Sequence, residues 1–90
     1  MEDLRSPEQI LTAVADEAKT AFNAELDFFE WRAEHESHDF PGLMKRYLQW
    51  VEAGEPFARS YARIAREFPQ HMWRFKEIVL PIQREIFGTE

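Results

Sequence analysis

From Ser6 to Asp39 the chain contains no glycine and, after Pro7, no proline, while apolar residues recur at helical spacing. Nothing in this stretch stops a helix once one has started. A helix of roughly 30 residues is about 45 Å long at 1.5 Å per residue. A compact domain of 90 residues has a radius of gyration near 12 Å and is only roughly 30 Å across. Part of such a helix projects beyond what its own chain can pack against it, and a second chain is the expected cover.

The punctuation of the sequence divides it into four expected helices within one domain, residues 1–90. Ser6-Pro7-Glu8-Gln9 is a start signal: Ser6 can cap, Pro7 suits the first turn and Gln9 can reach back as in a capping box. On the first helix, about 7–38, Leu11, Ala15, Ala18, Phe22, Leu26, Phe29 and Ala33 form one stripe. Thr12, Asp16, Asn23, Asp27, Glu30 and Glu34 lie nearly opposite. Phe40-Pro41-Gly42 ends it, because the residue before proline is pushed out of the helical region.

A second helix, about 43–53, groups Leu43, Tyr47, Trp50 and Val51 and is expected to stop at Gly54. Pro56 opens a third, about 56–67, with Phe57, Tyr61, Ile64 and Phe68 on one face. The fourth, about 70–87, carries Met72, Phe75, Val79, Ile82 and Ile86, and Gly88 ends it. Pro81 inside that pattern predicts a kink near residues 78–80. No segment alternates with period two, so the fold class is all-α: a small helical bundle, one long N-terminal helix packed by three shorter ones.

Composition narrows the chemistry. With no cysteine there is no disulfide, thiolate metal site or cysteine nucleophile. Carboxylate-bridged metal bundles use Glu-x-x-His pairs, and the sequence has none. His35, His38 and His71 fall near helix ends and read as solvated side chains, so neither a metal nor another cofactor is expected. The three glycines stand apart, leaving no phosphate-cradling loop. Neither a signal segment nor a membrane-length apolar run occurs, and a soluble protein of the reducing cytoplasm, not bound to membrane, is the expectation.

Charge is unevenly placed: residues 1–39 carry −8 and residues 40–90 carry +2. Arg59, Arg63 and Arg66 form a stripe suited to an acidic surface, whether that of the first helix or of a partner. Direct nucleic-acid binding is not expected of a chain with a net charge of −6. Glu25 is anomalous, a carboxylate one turn from Phe22 and Phe29, with Arg32 seven residues on. A structural ion pair, with Arg32 or with an Arg of another helix, is its plainest explanation.

Surplus apolar residues complete the reading. Trp73, Leu80 and Phe87 recur every seven residues, well away from the main stripe of their helix, and Phe28 and Trp31 lie beside the main stripe of the first. The expected function is therefore protein–protein interaction, as an accessory subunit, adaptor or inhibitor that binds its own copy or another protein. The expected interface is Phe28, Trp31, Trp73, Leu80, Phe87, Arg59, Arg63 and Arg66, with no catalytic residues. Two alternatives stay open. One is an acidic nucleic-acid mimic that presents Asp16, Asp27, Glu30 and Glu34, and the other is an enzyme or ligand-binding bundle centred on Glu25.

Overall fold

The computed structural model describes residues 3–35 and 39–88. They form α1 (Pro7–Glu34), α2 (Phe40–Glu67), a 3₁₀ turn at Pro69–His71 and α3 (Met72–Phe87). All-α holds, but the arrangement is two long helices and one shorter helix rather than one long helix and three short ones.

The opening helix starts as its sequence dictates. Ser6 Oγ accepts from the Gln9 N–H at 3.2 Å, while Gln9 Oε1 accepts from the Ser6 N–H at 2.8 Å. α1 then runs unbroken for 28 residues. Its last turn closes at His35, whose N–H donates to the Trp31 carbonyl. The expected end near residue 38, and with it His38, lies outside the described residues.

The expected break at Gly54 does not occur: α2 continues through Gly54 and Pro56 to Glu67. Packing overrides the local signals. Gly54 faces α1, where an added Cβ would meet the Ala21 methyl at 3.9 Å, so the two helices approach closely at this point. Pro56 lacks the N–H that would reach the Glu52 carbonyl, yet Phe57, Ser60 and Ile64 beyond it are held against α1 and α3. The Phe40-Pro41-Gly42 signal marks the start of α2: Asp39 caps it by accepting from the Gly42 N–H at 3.0 Å. A Cβ at Gly42 would meet that carboxylate in its present rotamer, so a larger residue there would require the Asp39 side chain to shift.

α3 likewise continues across Pro81 and ends at Gly88, whose φ of 65° is left-handed and whose N–H reaches the Arg84 carbonyl at 2.8 Å. It packs chiefly on α1. Ile10, Leu11, Val14, Ala18, Ile64, Phe75 and Val79 form the buried core, concentrated in the lower half of the α1–α2 pair. Phe75 stacks on Phe57 at 5.7 Å and meets Tyr61 edge-on, and at the other end of α3 Phe87 meets Phe22.

α3 therefore covers only the base. The upper turns of α1 and α2 form a two-helix arm, and the whole measures 45 × 36 × 17 Å with a radius of gyration of 15.0 Å. A compact chain of this length has about 12 Å. The expected projection of α1 beyond its own chain is only partial, because α2, itself 28 residues long, runs beside α1 and covers one side of it. What stays open is the α3 side of the arm.

Candidate functional site: the arm and its aromatic groove

Phe29 lies seven residues beyond Phe22, which meets Phe87, and so on the side of α1 that carries α3; there an open groove lies between the arm helices. Phe28, Phe29 and Arg32 line it from α1, and Leu43, Met44, Tyr47 and Trp50 from α2, around a volume of about 460 Å³. Phe28 forms its floor. It is buried within its own chain, stacked on Trp50 at 5.0 Å, and is not exposed to a partner. Phe29 leans on both Phe28 and Trp50, and Tyr47 meets Trp50 edge-on at 5.9 Å. This aromatic cluster holds the arm together where no third helix contributes.

The rim is exposed and apolar. Phe29 is 47% exposed, Met44 40% and Tyr47 43%, and Phe40, Leu48 and Val51 are exposed beside them. None of these six belongs to the interface expected from the sequence. Met44, Tyr47, Leu48 and Val51 follow i, i+3, i+4, i+7 spacing, a signal that becomes visible once residues 40–67 are read as one helix whose inner face is Leu43, Trp50, Phe57 and Ile64. An isolated exposed leucine means little, whereas here these six large apolar side chains of α1 and α2 are exposed on one small chain.

The expected interface residues are scattered. Trp73 is 61% exposed and Leu80 41%, on the outside of α3, whereas Phe87 is half-buried against Phe22. Trp31 stacks on His35 at 4.6 Å, and the Arg46 guanidinium lies 5.6 Å from its ring, on a different side of the arm from the groove. Arg59 and Arg66 are exposed, and Arg59 approaches Glu55 at 3.9 Å.

Arg63 is drawn inward, into a polar network at the base. Arg63 donates to Glu67 at 2.9 Å, and its Nη1 lies 3.1 Å from Asp3 Oδ1, an ionic contact without hydrogen-bond alignment. Asp3 also takes two side-chain hydrogen bonds from Arg5, which hold its carboxyl below the usual carboxylate range. Arg5 donates to Ser60 Oγ, and Ser60, fully buried, donates to Glu17 at 2.6 Å. These bonds fasten the segment before α1 across α2 and have a structural role. Arg74 pairs with Glu8 in the same manner, lowering the Glu8 carboxyl. Among the described residues Arg59 therefore pairs with Glu55 and Arg63 with Asp3 and Glu67, and no arginine of the stripe pairs with the acidic face of α1.

That acidic face is open. Asp16, Asp27, Glu30 and Glu34 are exposed and form no ion pair among the described residues. Glu25 is half-buried and Arg32 exposed, and neither the expected pair between them nor another pair involving either forms among the described residues. No group of three or more metal-ligating side chains occurs among the described residues, and no described helix is long and apolar enough to cross a membrane. Comparison with protein families, with curated proteins and with solved structures finds no match to this chain.

Proposed function

We propose that this protein is a small interaction module, an accessory subunit, adaptor or inhibitor, which acts by burying the open groove of its arm against another protein chain. One observation carries the reading: the α3 side of the arm exposes Phe29, Met44 and Tyr47 around an apolar groove that its own third helix stops short of covering. Aromatic side chains seated on a rigid cluster lose little freedom on binding and supply large contact areas. The reading involves no catalytic step.

The test compares wild type with the Met44→Asp/Tyr47→Asp double variant, isolated from the native cell and weighed as intact complexes. Wild type should carry a bound chain, its own copy or another, and the variant should lose it while keeping its helical circular dichroism. A wild type that is monomeric and carries no bound chain overturns the proposal.

A second reading rests on the open acidic face. Under it, Asp16, Asp27, Glu30 and Glu34 imitate a phosphate row for a nucleic-acid-binding protein. Asp27→Asn/Glu30→Gln/Glu34→Gln would then abolish a strongly salt-dependent complex that Met44→Asp leaves intact. Loss in the groove variant alone removes this reading.

A further inference from the structure

Resting on the reading of the groove as a contact surface, we infer that its occupant is a second copy of this chain, docked antiparallel so that Glu25 of each protomer pairs with Arg32 of the other. Glu25 and Arg32 are seven residues apart on α1, so they point within about 20° of each other and stand about 10.5 Å apart along the axis. That separation suits no pair within one helix, where partners sit three or four residues apart. A two-fold axis perpendicular to α1 and midway between them, at the Phe28–Phe29 step, brings the height of Glu25 in one copy to that of Arg32 in the other, twice. Both side chains lack an ion-pair partner among the described residues, and Arg32 lines the groove.

The fold permits this pairing and forbids its parallel counterpart. Phe29 lies seven residues beyond Phe22, where α3 ends, and hence on the same side of α1 as α3. Two arms packed in the same direction would drive one α3 into the other at the base. Packed in opposite directions, the end of each α3, at the level of Phe22, comes to the level of the partner's His35, and four arm helices form a bundle in which the second copy supplies the layer that α3 supplies below.

The area is adequate. Half-exposed side chains of this size leave roughly 80–130 Å² each, so Phe29, Phe40, Met44, Tyr47, Leu48 and Val51 offer on the order of 550 Å² per protomer. A pair that covered these side chains completely would bury at most about 1,100 Å² from them, at the threshold of a specific interface. Near the axis Phe29 meets the corresponding ring of the partner. The reciprocal ion pairs at the edge set register and direction.

Charge reversal tests the geometry. Glu25→Arg places two cations together and Arg32→Glu two anions, so each single variant should weaken dimerisation at least tenfold in sedimentation equilibrium. Glu25→Arg/Arg32→Glu restores opposite signs and should recover the wild-type constant to within about threefold. Circular dichroism on each variant verifies the fold. Failure of the double variant to recover, or a dimer indifferent to the single changes, overturns this pairing. If wild type is monomeric, benzoylphenylalanine in place of Met44 separates the two levels of the argument in the native cell. A photo-adduct with a different protein overturns the second copy while the groove remains a contact surface, and no adduct overturns both.

Discussion

Replacing Gly54 with alanine reads out, in the sign of one number, whether α2 is continuous. In the structure Gly54 is an interior helical residue. Glycine there is less favourable than alanine by roughly 0.5–1 kcal/mol, because its unfolded chain has more backbone freedom to lose. The new methyl has room: the one heavy atom within 4 Å, apart from the helix's own backbone and chain neighbours, is the Ala21 Cβ at 3.9 Å, an ordinary contact. No strain offsets the gain, and a methyl–methyl contact across the α1–α2 crossing adds to it. Gly54→Ala should therefore stabilise the protein by about 0.5–1 kcal/mol, which for a chain of this size raises the melting temperature by roughly 2–8 °C. Had the helix stopped at Gly54 in the left-handed conformation of a C-terminal cap, the same change would cost about 1–2 kcal/mol. Urea unfolding followed by circular dichroism decides between them. Both proteins must be compared at one concentration, because self-association raises apparent stability by mass action. A lower midpoint for the variant, with an unchanged denaturant slope, would refute the continuous helix and the close α1–α2 approach together.

Phe75→Ala and Trp73→Ala, two residues apart, should differ sharply. Phe75 is 2% exposed between Phe57 and Tyr61 and should cost about 3–5 kcal/mol, whereas Trp73, 61% exposed, should cost under about 1 kcal/mol in thermal unfolding. Ser60→Ala removes a buried hydroxyl that both donates to Glu17 and accepts from Arg5, and a loss of about 1–3 kcal/mol in urea unfolding is expected. The carboxyls of Asp3 and Glu8 are held below their ordinary values, chiefly by hydrogen bonds from Arg5 and Arg74. Their contribution is complete above the ordinary carboxylate range and is lost as pH falls through the lowered folded values. An acid titration of stability should decline from below about pH 4, and Arg74→Ala should flatten the Glu8 part of that decline.

The first helix and its cap are legible in the residues, because each depends on neighbours within a turn or two. The Ser6–Gln9 capping box and the stripe from Leu11 to Phe22 are local facts, and the structure reproduces them. The candidate groove was only partly legible. Phe28 and Trp50 could be recognised as apolar, but which of them is floor and which neighbours form the rim depends on where α3 ends. The exposed series Met44, Tyr47, Leu48 and Val51 lies within the expected helix 43–53, but Tyr47 and Val51 do not share the packed face with Leu43 and Trp50 as that fragment suggested: only the continuation to Phe57 and Ile64 shows which face turns inward.

Local signals alone determined that this chain is helical and where its first helix begins. Only the tertiary structure decided that Gly54 and Pro56 sit inside a helix and that Phe40-Pro41-Gly42 opens one. It also decided that Arg63 turns inward to Asp3 and that the arm is left with two helices. Glycine and proline shift a local backbone preference by one to a few kcal/mol, and the aromatic and aliphatic contacts between α1 and α2 on both sides of Gly54 together exceed that amount. A sequence lists such residues without stating which distant side chains they meet, so its breakers stay ambiguous until the partners are in place.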